Sequence, residues 1–451
     1  MTYERMRAAH LHAVQAAMQE HIARLDWPRE RIDRYRDQRL LMLLGYARER
    51  SPFHAQRLGD LDTSRASVAD LATVPVMTKA EAQDRWDDIV TDRELSRERV
   101  EGVLAQEERY SYTPDDYQVF SSGGSSGVRG VYVWGWEFFV SAACLAWRTQ
   151  ARAERQAAPL GPTRLAVLEA GMPPHASTPL FDVPTAAGME TVVIAAEAPF
   201  DEVLAAVAAA RPTHLVGYPS VIGRLARTAL AGDFDWRPVR VSTNSEPLLM
   251  EDRQAIVEAW DVPVHNLWGS TEIGVQAVGC SVGEGLHICE DEVVLERVDA
   301  NGAPVGPDEP AARTLATGLA NRTFPFIRYD LGDDVTLLPR PCECGSAFVR
   351  VADIAGRRDD DFRYGSIAVP AITFRHVLGT DPRITEYQVT QTAAGADILT
   401  VGHPDIDALT AAVLAALRRC GLPEPKVQIR VVDRIPRHQA SGKLKRFIAL
   451  S

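Results

Sequence analysis

The chain has 451 residues, of which 46% are hydrophobic and 24% charged, enough apolar material for a large core and room for two or three domains. Its formal net charge of −12 argues against a general nucleic-acid binder, which presents a basic face, while leaving open a small nucleotide held by a locally positive site. The opening residues MTYERMRAAHLHAVQAAMQEHIARLDW interleave charges and lack the apolar centre of a secretion signal. No apolar run reaches the roughly 20 residues that cross a bilayer, so a cytoplasmic protein outside the membrane is expected.

Residues 1 to about 60 read as helical: apolar positions in RLLMLLGYARERSPF recur at helical spacing until Pro52 ends the run. In VPVMTKAEAQDRW, Thr78 followed by Glu81 is the signature of a capped helix start. From about residue 115, β-rich runs (TRLAVLEA, ETVVIAAE, PTHLVGYPS, VRVSTNS, VPVHNLWGS) alternate with helical ones (DEVLAAVAAARP, YPSVIGRLARTALAG, LMEDRQAIVEAW). Such alternation predicts an α/β architecture with a parallel sheet and helical crossovers. Residues 285–340 read mostly as β, a subdomain attached to that core. After GRRDDDF the pattern resets into an α+β unit of roughly 90 residues, a normal domain size. The expected organisation is a large domain over 1–357 and a small mobile one over 358–451, with the charged GRRDDD at the junction.

Four segments carry candidate chemistry. In VFSSGGSSGVRGVYVW, residues 119–134, a Gly/Ser run lies between two β-like pieces, where inward N–H groups and hydroxyls can wrap a phosphate chain and Arg129 can add charge. A flexible linker is the alternative, although the aromatic strand that follows at once speaks against it. In HNLWGSTEIG, an apolar stretch ends in Gly269 and then presents Ser270, Thr271 and Glu272, of which Thr271 offers a hydroxyl to phosphate and Glu272 a hard oxygen to Mg²⁺, with Trp268 a flat face for a purine. A strand leading into a helix capped by Thr271 would explain the same residues. In FIRYDLGDDV, Asp330, Asp333 and Asp334 sit beside a turn glycine, where a carboxylate can accept two hydrogen bonds from a ribose, or be one more acidic turn. In PRHQASGKLKR, Lys443 follows Gly442 in a loop expected just before a terminal helix, able to reach another domain's cleft or simply to stand in solvent.

In this order and at these separations, the four segments resemble those of the adenylate-forming superfamily (acyl-CoA synthetases, adenylation domains, luciferase), most closely its phenylacetate–CoA ligase-like branch. The resemblance covers almost the whole chain, including SPFHAQRL and VPVMTK. It implies that Ser122, Gly123, Gly124, Ser125, Ser126 and Gly127 hold the ATP pyrophosphate, and that Ser245, Glu246 and Pro247 border the adenine, with Trp268 stacked near it. Thr271 would contact the α-phosphate and Glu272 would bind Mg²⁺. Asp333 and Arg357 would grip the ribose, Asp359 would be the hinge, and Lys443 would bridge the α-phosphate and the acid carboxylate. The acid pocket is expected among Trp134, Trp136, Phe139, His214 and Tyr218, aromatics suited to an aryl acid unless they are sheet core; His175 is a further candidate. The chain departs from the family's pattern in having Arg129-Gly130 where Lys-Gly is usual, a Ser-rich loop, and Trp268 where Tyr is commoner.

Six cysteines are too few for a disulfide framework at this length. Cys280, His287, Cys342 and Cys344 instead fit a closed tetrahedral structural Zn²⁺ site, with Cys289 a rival ligand and buried reduced thiols the alternative. Three activities are compatible with these residues: an aryl acid–coenzyme A ligase, an adenylating enzyme that passes its acyl group to a carrier-protein thiol or an amine, and a degenerate nucleotide-binding protein. Lys443, Glu272 and Asp333 speak against the third. Any acceptor is expected in trans, and a homodimer is among the expected assemblies.

Overall fold

In the computed structural model of the chain, the described residues are 3–106, 111–122, 129–156, 163–169, 175–186, 188–232, 236–280, 282, 285–306, 309–339, 341–354, 356, 360–379, 381, 383–437 and 443–450. Helices α1 (Tyr3–Arg24), α2 (Arg29–Arg50) and α3 (Pro52–Leu58) open the chain. Pro52 ends α2 and at once begins α3, where its missing N–H would have had no helical partner, while the Ser51 side chain accepts from the His54 N–H at 3.3 Å. Three short helices follow, α4 (Lys79–Asp84), α5 (Trp86–Ile89) and α6 (Arg97–Leu104), and Thr78 caps α4 through the Glu81 N–H as its spacing predicts.

Strands β1 (Gln118–Ser122) and β2 (Gly130–Trp134) form an antiparallel hairpin that leads into α7 (Trp136–Gln156). An α/β run succeeds it: β3 (Arg164–Glu169), α8 (Thr178–Ala186), β4 (Glu190–Ala195), α9 (Phe200–Ala210), β5 (His214–Gly217), α10 (Pro219–Leu230), β6 (Arg240–Thr243), α11 (Met250–Trp260) and β7 (Val264–Ser270). Every strand expected from the alternation in this stretch is present, and all five pair in parallel, in the order β4-β3-β5-β6-β7.

The sheet is mixed, not parallel throughout. Beyond β7 it continues with β8 (Gly274–Gly279), β9 (Leu286–Ile288) and β13 (Arg350–Val351), each antiparallel to its neighbour. The cause is local: three residues separate β7 from β8, and so short a connection can only reverse the chain. The β subdomain is correspondingly smaller than 285–340, because β9 docks on the large sheet and leaves a three-stranded unit of β10 (Val293–Val298), β11 (Arg313–Gly318) and β12 (Tyr329–Asp330).

The C-terminal unit comprises β14 (Phe362–Tyr364), β15 (Ile367–Val369), α12 (Ala371–Leu378), β16 (Ile384–Thr392), β17 (Gly395–Gly402), α13 (Ile406–Arg419), β18 (Lys426–Val431) and β19 (Phe447–Ile448). It has its own apolar cluster, running from Phe362 to Phe447. The expected terminal helix is instead β19, which lies parallel to β16 with Phe447 opposite Val389 and so buries the Phe447 ring at 3% exposure. Among the described residues no helix is long and apolar enough to cross a membrane.

Candidate active site

The β1–β2 hairpin is fastened to the Thr271–Glu272 turn by two buried side chains of β2. Trp134 donates from Nε1 to the Thr271 carbonyl at 2.9 Å, and the Tyr132 hydroxyl donates to Glu272 Oε1 at 2.6 Å. Gly130 is required for this, since a Cβ there would collide with the Tyr132 ring. The Tyr329 hydroxyl donates to the same Oε1 at 3.0 Å, which leaves Oε2 for another donor or a cation. The turn itself is closed by Ser270, whose Oγ accepts from the Ile273 N–H at 3.2 Å; no helix follows Thr271, and β8 begins at Gly274.

Trp268 is core, 6% exposed, and does not present a face to the cleft; its Nε1 donates to Asp333 Oδ2 at 2.8 Å and orients that carboxylate. Ser122 ends β1, and its Oγ accepts from Lys79 Nζ at 3.2 Å. That ammonium at the root of the Gly/Ser loop escaped the sequence reading, although VPVMTK stood out there. Gly123, Gly124, Ser125, Ser126 and Gly127 lie outside the described residues, as do Arg357 and Asp359. Arg129 is turned to the surface, where it pairs with Glu101 Oε2 at 2.6 Å.

An open cleft of about 1110 Å³ runs between α7 and the sheet, and Ser245, Gly269, Ser270, Thr271 and Lys443 all line it. Lys443 comes from the C-terminal unit and the others from the large one. Glu246 joins the two units: its Oε1 accepts from the Leu444 N–H at 2.6 Å and its Oε2 from the Ser220 N–H at 3.3 Å, so it is spent on lobe contact and does not border the cleft. Pro247 is exposed beside it. Around Glu246, Arg437 pairs with Glu386 at 2.9 Å, and Arg446 and Arg227 converge on Asp252 at 2.9 and 2.8 Å.

Of the aromatic residues expected in an acid pocket, Trp134 lines the cleft. Trp136 is on the surface at 44% exposure with its ring parallel to that of His10, and Phe139 packs against His10 from the same helix. Tyr218 is in the core between β5 and α10. His214 is buried in β5, with its Nδ1 2.9 Å from Thr213 Oγ1 and its pKa lowered by burial to about 4. The wall comes instead from Ala146, Trp147 and Gln150, which lie seven to eleven residues beyond Phe139 on α7, or roughly 10–16 Å along its axis. Leu180, Phe181 and His175 complete that side.

A second cluster lies at the antiparallel end of the sheet. The ligand atoms of Cys280, His287, Cys342 and Cys344 are all within 4.8 Å of one another. Cys280 Sγ is 3.6 Å from Cys342 Sγ, and Cys344 Sγ is 3.3 Å from His287 Nε2. A tetrahedral Zn²⁺ with bonds of about 2.3 Å to sulfur and 2.0 Å to nitrogen needs edges of about 3.5–3.8 Å, close to these. His287 Nδ1 is 3.2 Å from the Phe348 carbonyl, which fixes the tautomer that presents Nε2 to the thiols. Cys289 is not in the group; it is 1% exposed in a separate apolar cluster.

No family model matches the chain. It is 25% identical over 390 residues to the phenylacetate–coenzyme A ligase of Thermus thermophilus, covering 80% of this chain and 78% of that protein. It is also 29% identical over 153 residues to the Staphylococcus aureus protein CapK, a third of each chain. Among solved structures, 2-hydroxyisobutyryl-CoA ligase in the postadenylation state superposes with a TM-score of 0.71 at 17% identity, over 95% of this chain and 91% of that one. An anthranilate CoA ligase gives 0.53 at 19% identity over 73% and 65%. The chain is thus similar in sequence to a phenylacetate–coenzyme A ligase, and its fold is that of the acyl-CoA ligases.

Proposed function

We propose that this protein is an AMP-forming acid–thiol ligase that adenylates a carboxylic acid with ATP and then transfers the acyl group to coenzyme A. The observation that carries the reading is the meeting of Lys443 with Ser245, Ser270 and Thr271 around one cleft, although Lys443 lies about 170 residues further along the chain. The acid carboxylate attacks the α-phosphorus of ATP and expels pyrophosphate, giving an acyl-adenylate; the thiol then attacks the acyl carbon and expels AMP. The carboxylate is already a nucleophile at neutral pH, so the protein's task is to position two anions and neutralise the charge that develops between them.

In this reading Lys443 and the Thr271 hydroxyl meet the α-phosphate, Asp333 holds the ribose with Trp268 behind it, and the loop that Ser122 begins holds the pyrophosphate. Glu272, fixed by two phenols at Oε1 and open at Oε2, suits Mg²⁺ as a hard oxygen ligand; the ion would offset phosphate charge. The closer fit to the postadenylation state of 2-hydroxyisobutyryl-CoA ligase than to its thioesterification state, TM-scores of 0.71 and 0.61, supports a small lobe docked for the first half-reaction. Rotation about a hinge at Asp359 would then admit the thiol. The faces of Trp134, Trp147 and Phe181 favour an aryl acid. The Cys280–His287–Cys342–Cys344 cluster is proposed to hold a structural Zn²⁺, since four protein ligands leave no open position for catalysis.

ATP–pyrophosphate exchange over aryl and aliphatic acids tests this reading. Lys443→Ala should lower exchange by about 10²–10³-fold, the loss typical of one preorganised charge-stabilising group. Exchange with no acid would refute the adenylation reading, and an acyl product that forms without coenzyme A would redirect the second step to a carrier thiol or an amine.

A further inference from the structure

The far end of the cleft is built for a second negative charge. Parallel strands β6 and β7 bring Asn244, Ser245, Ser270 and Thr271 to its mouth, and the same strands begin, at its depth, with Arg240 and with His265 one residue inside β7. Arg240 is three positions before Thr243 on β6, so its strand position lies about 10 Å below the end of that strand, and further still below Thr271, which follows the end of β7. Val241 pairs with Val264 and Ser242 with His265, so His265 lies on the neighbouring strand two positions, about 7 Å, nearer the mouth than Arg240. Gln150 of α7 faces them across the cleft.

Arg240 is half-buried, and while its backbone N–H donates to the Thr213 carbonyl at 3.3 Å, its guanidinium makes no hydrogen bond or ion pair among the described residues. Burial depresses its pKa, opposed by the more distant Glu154, whose Oε1 accepts from Gln150 Nε2 at 2.8 Å. No aspartate or glutamate is among the described residues that line the cleft, whereas Arg240 and Lys443 are; His265, its pKa lowered by burial to about 4, stands there as a neutral ring. An Arg fork without a partner in a partly desolvated pocket costs free energy unless the ligand supplies an acceptor, and a carboxylate matches its geometry two bonds at a time.

We infer that the acid activated here carries a second anionic group, a carboxylate or its equivalent, at the end remote from the reacting carboxylate, and that Arg240, assisted by Gln150 and His265, selects for it. The inference rests on the adenylation reading and names its substrate class. It also supplies a rejection rule: an acid with an apolar tail leaves Arg240 buried and unpaired, and sites built for a polar group reject analogues that lack it.

The test is a panel of aryl and aliphatic acids of graded length, each in three forms whose distal group is carboxylate, carboxamide or methyl, compared as kcat/KM in pyrophosphate exchange. Exchange needs no coenzyme A, so an effect seen there belongs to the acid and not to a phosphate of coenzyme A. The preferred length should show a roughly 10–100-fold preference for carboxylate over methyl, the range of a charge-assisted pair, and Arg240→Gln should reduce that ratio by a similar factor. Equal rates for the three forms, or a ratio that Arg240→Gln leaves unchanged, would overturn the inference while leaving adenylation intact. If no acid supports exchange, the adenylation reading fails on its own, and the selectivity is still decided by binding: the diacids should raise the Tm of the unaltered protein and not that of Arg240→Gln, and equal shifts would refute it.

Discussion

The Glu246 carboxylate accepts the backbone N–H of Leu444 at 2.6 Å, so the residue next to Lys443 is tied to the large lobe by a side chain of that lobe. Arg437 lies 3.6 Å from the same Glu246 Oε1 and 2.9 Å from Glu386, which makes the tie part of a charged network across the lobe boundary. In the adenylation reading this network holds Lys443 at the reacting phosphate.

Glu246→Ala is therefore expected to lower the first half-reaction about 10-fold or more, as a misplaced catalytic group does. Thioester formation from synthetic acyl-adenylate and coenzyme A, which needs the small lobe elsewhere, should fall far less. Stopped-flow measurement of the two half-reactions separates the cases; equal losses in both would count against a latch.

Glu272 is held by two phenols at one oxygen, Tyr132 at 2.6 Å and Tyr329 at 3.0 Å, so its carboxylate has a fixed direction although nothing anchors it covalently to the hairpin. Removing one hydroxyl with Tyr132→Phe loosens that direction and weakens the fastening of the β1–β2 hairpin. A ligand-orienting partner of this kind is worth roughly 10–100-fold in metal affinity or activity. Titration of exchange rate against Mg²⁺ should show a higher half-saturating concentration in the variant, and a rate loss with an unchanged Mg²⁺ dependence would speak against this role for Glu272.

The cysteine cluster joins the end of β8, strand β9 and the turn before β13, the three segments that form the antiparallel edge of the large sheet. Elemental analysis is expected to find about one zinc per chain, and Cys344→Ser or exhaustive chelation to lower Tm by several degrees. Turnover of the remaining folded protein at low temperature should be little altered, because the cluster does not line the cleft that holds Lys443. A folded protein free of metal, with a Tm indifferent to chelators, would remove zinc from the account.

What the sequence made legible follows from how each element is specified. Strands β3 to β7 carry long β-rich runs and announce themselves. Strands β9 and β13 are three and two residues long, and so short a run takes its sheet from its partner, which only the fold supplies. The segment KLKRFIAL reads as easily for a helix, yet Phe447 enters the core beside Phe362 and Phe374, and that contact decides for a strand. Thr271 and Lys443, singled out by local motifs, do line one cleft, whereas Glu272 and Asp333 stand behind it on hydrogen bonds to Tyr132 and Trp268. Arg240 was not legible, since an arginine at a strand's start looks solvent-bound until α7 covers it. Trp136 and Phe139 misled for the converse reason: they are near the loop in sequence, while the cleft lies further down the same helix.

Beneath the site, Asp291 is fully buried and receives Arg148 twice, Nη1 at 2.6 Å and Nη2 at 3.0 Å, while Glu292 receives Arg24 at 2.9 Å and Arg39 at 2.7 Å. Burial, the largest single influence, would raise the Asp291 pKa; the charge and hydrogen bonds of Arg148, with Arg24 beside it, together outweigh it and hold the carboxyl below its ordinary value. The cluster ties α1, α2 and α7 to the segment before β10. Asp291→Ala strands Arg148 without its counter-ion and should cost about 3–5 kcal/mol of stability, the usual loss when half of a buried pair is removed. Urea unfolding measures it, and a change below about 1 kcal/mol would show that the arginines repartner freely.

His54 gives the protein an acid-side weakness. It is 0% exposed; its Nδ1 is 3.3 Å from Arg57 Nη1, so the ring accepts there, and its Nε2–H donates to the Pro325 carbonyl at 2.9 Å. Burial, with the Arg57 charge beside it, lowers its pKa to about 3. The ring is thus neutral in the folded protein where the unfolded chain, with an ordinary pKa near 6.5, already binds a proton. Between these two values the unfolded state holds more protons, so stability is full above pH 6.5 and falls as the pH drops toward 3. At pH 5 the loss from this group alone is about 2 kcal/mol. His54→Gln, which cannot titrate, will be less stable at pH 7 yet should show a slope of unfolding free energy against pH, between 6 and 5, that is shallower by nearly one proton. Denaturant titrations at several pH values read that slope directly, and a variant as acid-sensitive as the unaltered protein would place the titrating group elsewhere.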